Sequence, residues 1–318
     1  MRLSRVALGV ALLAAALGAA RLAPSTYAAN ALVTLALYVV LALAFDLMAG
    51  HIGAVSLAAP AFYAIGAYTA GILATRYEAG LLVTLPAAVA LAALVAVAAG
   101  WPLFRLSDLA FAIGSLGLGL IAAALANNLI DLTGGPMCTT GVAPARVALG
   151  PLVLSTATPR AAYVLAVLLA AVALLTYLAL TTYRAGRTIA MIQGDEQLAA
   201  ALGVNPLRHK LTLFAASGAL TAAAGVFYAH YTTVVCPADF SPFLTINLLV
   251  MVFVGGPGTL GGVLLGAALF VGVSEALRGW AHLGNLLFGA ILLAAVLAFP
   301  RGVWGWVTGL AGRARSAA

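Results

Sequence analysis

Apolar stretches of about 20 residues, the length a helix needs to cross a bilayer, recur from one end of this chain to the other. They fall near residues 4–21, 28–48, 60–75, 81–104, 109–130, 161–183, 211–231, 244–260, 262–279 and 284–299. A segment that long and that poor in charge satisfies its backbone in lipid by bonding it internally as helix. With 64% hydrophobic and 7% charged residues, against roughly 25% charged in soluble domains, the chain is expected to be an all-α, polytopic transmembrane protein of about ten spans. The net charge of +7 would suggest an acidic partner in a soluble protein. In a membrane protein basic residues mainly record orientation, so nucleic acid is not indicated.

With the N-terminus inside, Arg2, Arg5, Arg105, Arg184, Arg187, Arg208, Lys210, Arg301, Arg313 and Arg315 lie inside, and Arg21, Arg76, Arg146, Arg160 and Arg278 outside. The two-to-one excess inside favours both termini in the cytosol. Arg2 and Arg5 before an apolar run and small residues near Ala19-Ala20 also resemble a secretory signal. Arg21 sits where a cleavage region should be neutral, so a retained first span is the expectation.

The one long polar interruption, residues 184–210, then faces the cytosol. It holds Gly186, Arg187 and a first short amphipathic run that Gly194 ends. Asp195 is a good N-cap, Glu196 stands in the following first turn, Leu202 closes the run and Gly203 takes the position after the helix. Pro206 is expected to prevent the helix from resuming. The loop therefore reads as two short helices presented to a soluble partner.

Three Gly/Pro-interrupted places fall at membrane depth: Gly50 to Pro60, Leu132-Thr133-Gly134-Gly135-Pro136, and Gly255 to Gly262. Non-helical backbone there needs partners from protein or from a water-lined cavity, which suggests re-entrant segments along a translocation route. Candidate pathway residues are Ser56, Tyr63, Tyr68, Asn127, Asn128, Gly255 and Gly256. Tyr63 and Tyr68 are five apart and do not share a helical stripe, so at most one faces a pathway. Asn127 and Asn128 either bond neighbouring helices or line the route. Gly66, Gly71, Gly114, Gly117, Gly119 and Gly266 suit tight helix packing. Asp46 is expected to be paired rather than to bind substrate, His51 and His230 to be structural, and Trp304 and Trp306 to be interfacial anchors. Cys138 and Cys236 both fall outside, where a disulfide could form; their spacing establishes nothing, and two free thiols are the expectation. No metal site follows.

Several of these segments together resemble a known family. Gly50 to Tyr68, Phe111-Ala112-Ile113, Asn127-Asn128, Leu132 to Pro136, the loop from Gly186 through Asp195-Glu196 to Gly203 and Lys210, Ala229-His230-Tyr231, Gly255 to Thr259, and Phe299-Pro300-Arg301-Gly302 occur in order over residues 45–305. The chain resembles the inner-membrane permease subunits of branched-chain amino acid ABC transporters, the larger of the two paired permease types. The resemblance implies a bacterial inner-membrane location, a second homologous permease, two cytosolic ATPases carrying ATP and Mg, and a periplasmic substrate-binding protein, with no cofactor on this chain. The apolar spans group as a single permease domain over 1–318: a first span and loop (1–27), a helical group with the outside loop (28–160), a second group containing the coupling loop 184–210 (161–300), and a cytosolic tail (301–318). Ala54, Ala58-Ala59, Met137-Cys138 and Gln193-Gly194 depart from the family pattern, and relatives that carry urea, amides or other small metabolites keep the substrate open.

The residues agree with an external energy source. A P-loop ends in Lys-Ser/Thr, whereas the only lysine, Lys210, follows Arg208-His209. An ion-coupled carrier, the rival class, places ionisable groups mid-membrane; the expected spans hold almost none, with Asp46 near the inner end of the second and Glu275 near the outer end of the ninth. An intramembrane enzyme would need a metal or nucleophile motif that the chain lacks.

Overall fold

The computed structural model describes residues 26–149, 152–277, 289 and 302–306. The first expected span, the tenth apart from residue 289, the Ala19-Ala20 region, Phe299-Pro300-Arg301 and the arginines at 2, 5, 21, 278, 313 and 315 lie outside the described residues.

Four long helices open the described chain: α1 (Thr26–Ala49), α2 (Ala59–Tyr77), α3 (Leu81–Leu103) and α4 (Asp108–Asn128), followed by the single turn α5 (Ile130–Thr133). Three short strands follow, β1 (Thr139–Thr140), β2 (Arg146–Leu149) and β3 (Leu152–Ser155). Then come α6 (Pro159–Thr181), α7 (Tyr183–Gly194), α8 (Glu196–Ala201), α9 (Pro206–Thr232), β4 (Val234–Val235), α10 (Phe243–Gly255) and α11 (Leu260–Ala276).

Among the described residues five helices, α1, α3, α4, α6 and α9, are long and apolar enough to cross a membrane. The expected spans at 244–260 and 262–279 become α10 and α11, of 13 and 17 residues. At 1.5 Å per residue they reach about 20 and 25 Å, short of a hydrocarbon core of about 30 Å. They fold back on each other as an antiparallel hairpin, with Gly266 against Met251 and Gly255 against Gly262.

Burial separates the helices into an inner and an outer set. The spanning windows of α1 and α9 are 61% buried, those of α3 and α4 only 22%. From Val40 to Ala49 every residue of α1 is buried, as expected of a helix apolar all round. It packs against α6, α9 and α11, while α9 packs on α2 and α3. The α2–α9 crossing is close because it runs over glycine: a Cβ on Gly66 would stand 2.0 Å from the Ala222 carbonyl oxygen, and one on Gly225 2.2 Å from that of Tyr63. Tight packing therefore holds at Gly66 and Gly266. It fails at Gly117, where a Cβ would meet nothing within 4 Å, because no described element covers that face of α4.

The segment between α5 and α6 adds small sheets to an otherwise helical fold. β1 pairs antiparallel with β4, Thr139 opposite Val235 and Thr140 opposite Val234, and β2 with β3 forms a hairpin. The first ladder carries Cys138 to Cys236, and the two are bridged, with Cα atoms 4.4 Å apart. The expectation of free thiols is thus overturned; strand pairing across 98 residues leaves no local signal in sequence. Trp304 is also not a simple interfacial anchor, since its ring covers Gly261 at 2.4 Å from where a Cβ would stand, whereas Trp306 is exposed.

Gly66→Leu forces a side chain into the α2–α9 backbone contact and is expected to cost about 1–3 kcal/mol or more. Gly117→Leu enters open space and should stay within about 0.5 kcal/mol of the parent. Thermal unfolding of both purified variants in detergent checks this, and equal midpoints would contradict the packing.

Candidate coupling and translocation site

A carboxylate removed from water needs internal donors, because leaving it bare costs several kcal/mol. Asp46, near the end of α1, is completely buried. Its Oδ2 accepts from the Tyr177 hydroxyl of α6 at 2.7 Å, and its Oδ1 from the Gly258 backbone N–H in the α10–α11 turn at 2.8 Å. His51 Nδ1 stands 3.5 Å from Oδ2, and its ring meets the edge of Tyr177 with centroids 5.3 Å apart. The expectation that Asp46 is paired holds; the histidine expected to be merely interfacial is one of its neighbours.

Two glycines make this approach possible. Gly258 has φ +70°, and a Cβ there would stand 2.8 Å from the Gly50 carbonyl oxygen. A Cβ on Gly50 would stand 2.1 Å from Asp46 Oδ1. The Gly50 carbonyl also accepts from Gln193 Nε2 of α7 at 3.3 Å. A continuous path of contacts therefore runs from α7 through Gly50 and Asp46 to the Gly256–Thr259 turn. Sequence reading missed Tyr177, Gly258 and Gln193 as parts of it; the signal available was that a buried Asp46 required donors, and Tyr177 is among the few polar groups late in its span.

The polar loop forms the two short helices expected. Asp195 Oδ1 accepts from the N–H groups of Gln197 and Leu198, both at 2.9 Å, the satisfied N-cap of α8. At the other end Gly203, φ +83°, donates to the Ala200 carbonyl at 3.0 Å, and Val204 to that of Ala199 at 3.1 Å, the paired bonds of a Schellman stop. A Cβ on Gly186 would lie 2.0 Å from the Thr181 carbonyl oxygen, so the turn from α6 into α7 requires glycine there. Arg187 is exposed, and Lys210 pairs with Glu196. Pro206 does not stop a helix but opens α9 at its first position, with Asn205 Oδ1 capping the Arg208 N–H at 3.1 Å. Proline lacks only a donor that the first turn leaves unused, so Lys210 belongs to α9. Ile189, Ile192 and Ala199 are buried, while Met191, Leu198 and Leu202 are exposed, leaving an apolar outer face on the pair.

The remaining pathway candidates do not gather at that end. Gly255 and Gly256 are packed against the α11 backbone: a Cβ on Gly255 would stand 2.0 Å from the Gly262 carbonyl oxygen. Ser56 is buried and accepts from Ala58 N–H at 3.4 Å, beside Ser115, which takes the Leu57 N–H at 2.8 Å and which sequence reading missed. Tyr63 and Tyr68 both pack on Phe240, at 5.6 and 5.4 Å between ring centroids, so residues on different stripes converge because one bulky ring reaches both. The Tyr68 hydroxyl is buried without a hydrogen-bond partner among the described residues. Its side chain borders a cavity of about 380 Å³ walled by Ile65, Leu91, Val95, Ile121 and Leu125. Asn127 and Asn128 bond back to the Ala123 and Ala124 carbonyls of their own helix and are exposed, rather than tying α4 to a neighbour.

Residues 27–296 match the family described as "Branched-chain amino acid transport system / permease component". The chain is similar to the high-affinity branched-chain amino acid transport system permease protein LivM of Escherichia coli (strain K12), 29% identical over 287 residues, 84% of this chain and 67% of that protein. The protein of the same name from Salmonella typhimurium (strain LT2) is 29% identical over 288 residues, with the same shares. No solved structure gives a significant match.

Asp46→Ala removes the acceptor that the Tyr177 hydroxyl and the Gly258 N–H share and is expected to cost about 3 kcal/mol. Tyr177→Phe removes a single donor and should cost about 1.5–3 kcal/mol. Thermal midpoints of the detergent-solubilised variants check the order; a harmless Asp46→Ala would show that the carboxylate does not hold this end together.

Proposed function

Since the chain belongs to the branched-chain amino acid transport system permease family, we propose that it is the permease subunit of an ATP-driven importer of branched-chain amino acids in a bacterial inner membrane. It forms half of an alternating-access route with a second homologous permease. Two cytosolic ATPases bind ATP and Mg and perform the hydrolysis, and a periplasmic binding protein delivers the substrate. Both termini and the α7–α8 pair face the cytosol, with about ten spans in all.

The observation that carries this reading is the contact path from Gln193 to Gly50 and on through Asp46 to Gly258. Helices α7 and α8 dock on an ATPase through Met191, Leu198 and Leu202, their exposed apolar residues. A shift of α7 then pulls on the Gly50 turn and, through Asp46, on the α10–α11 hairpin, whose two short helices are joined by glycine-rich backbone. The apolar cavity beside Tyr68 suits an aliphatic side chain. An ion-coupled carrier is less well supported: Asp46 is the one fully buried carboxylate among the described residues, and donors from the protein already occupy both of its oxygens.

Asp195→Ala removes a cap worth about 0.5–2 kcal/mol. Gly203→Val meets no atom within 4 Å, so its cost is the left-handed backbone, about 1–2 kcal/mol. In proteoliposomes holding the whole transporter, both variants should insert normally, while substrate-stimulated ATP hydrolysis and uptake fall together. Robust uptake by this chain in ATP-free vesicles with an ion gradient would refute the proposal.

Orientation is checked by thiol labelling, since the native cysteines are bridged and silent. Probes at the exposed Ala157→Cys and Ala238→Cys should react from outside intact cells, and one at the exposed Ala201→Cys should not. External labelling of the Ala201 probe would reverse the orientation.

A further inference from the structure

Beside the coupling helices, the end of α3 and the start of α9 diverge and leave a groove of about 450 Å³. Val97, Trp101, Leu207, Arg208, Leu211 and Ala215 line it. Its lower part continues onto the outer flank of α3, where Leu94 and Val97 are exposed, a surface that hydrocarbon has to cover. Its upper part is cationic. Arg208 lines it directly, and the Arg105 guanidinium lies over the Trp101 ring, 3.8 Å from the centroid, a geometry that holds a cation against an aromatic face.

Among the described residues neither guanidinium enters an ion pair. The pairs present are His51 with Asp46 and Lys210 with Glu196, so Glu196, the acid of the coupling helices that belongs to an ion pair, is engaged elsewhere. Guanidinium stays charged at any physiological pH and presents a planar fork that suits phosphate oxygens. Trp101 is half exposed at a helix end, where indole rings settle at headgroup level.

We infer that this groove binds an anionic phospholipid. The phosphate and anionic headgroup sit between Arg105 and Arg208, and an acyl chain descends over Val97, Leu211 and Ala215. Charge at one end and hydrocarbon wall at the other match an amphiphile. A free anion would leave the apolar floor uncovered. Basic pockets between helix ends are a recurrent way of holding acidic headgroups. The orientation proposed above names the leaflet, the inner one; binding itself does not rest on it.

The test is native mass spectrometry of the full-length chain in detergent with equal amounts of phosphatidylglycerol and phosphatidylcholine. An arginine near an anionic lipid contributes about a factor of five, so the pair should give the wild type a roughly 25-fold preference for phosphatidylglycerol. Arg105→Gln/Arg208→Gln should bring the ratio close to one. Arg146→Gln/Arg160→Gln, with the same charge change at the opposite end, should keep it, and millimolar inorganic phosphate should leave the retained lipid in place. All four arginines are exposed, so the variants should unfold at the wild-type midpoint. No preference in the wild type, survival of the preference in the groove variant, or equal loss in the control would overturn the inference. Displacement by phosphate would make the groove a free-anion site, and expulsion of the lipid by the partner permease or ATPases would assign it to a protein contact; either result also overturns it.

Discussion

A carboxylate withdrawn from water must find its donors within the protein, and Asp46 finds them on two distant segments, a tyrosine of α6 and the backbone of the α10–α11 turn, with the His51 ring beside it. Most helix contacts in this fold are apolar and non-directional, and they would tolerate sliding by a fraction of a turn. Hydrogen bonds to one carboxylate do not. Their geometry fixes how far α1, α6 and the hairpin are displaced along their axes, and the two glycines at 50 and 258 leave no room for a compensating shift.

What could be read from sequence was local. The cap at Asp195 and the stop at Gly203 are recognised within ten residues, and both stand in the structure with the bonds such positions make. Pro206 is equally local but ambiguous: proline ends one helix or begins the next, and the Asn205 cap decided for the second. Apolar length marks both α10 and α11 near residues 244–279 but says nothing of the four-residue turn that packs one against the other. The remaining features depend on pairs far apart in the chain. Tyr177 is 131 residues from Asp46 and Gly258 is 212, and no periodicity or spacing encodes such a meeting. The candidate pathway residues were chosen by polarity within apolar spans, and polarity cannot distinguish an asparagine that faces a neighbour from one that bonds its own helix, as Asn127 and Asn128 do.

The uneven burial of the helices has its own logic. α9 sits at the centre where Gly66 and Gly225 bring its backbone against α2, while α1 is held there by large, fully buried side chains, Leu41, Leu43, Leu47 and Met48 among them. α3 and α4 carry Leu, Ile and Val outward, a surface at ease with lipid tails or with another apolar protein. The polar groups that remain are concentrated at the two ends of the bundle, where strand ladders, caps and the Asp46 cluster satisfy the backbone that helices leave unpaired.

The Cys138–Cys236 bridge has a consequence for how the chain is made. Between the two cysteines lie α6 and α9, both long enough to cross a membrane, and the short pair α7 and α8. With α6 and α9 crossing as proposed, the first thiol emerges 98 residues before the second and pairs only once the far end of α9 has been delivered. If one of the two crossings fails, the cysteines end on opposite faces and cannot meet. An oxidised chain is then one whose two cysteines have reached the same face of the bilayer, and a chain in which a single one of the two crossings has failed cannot carry the bond.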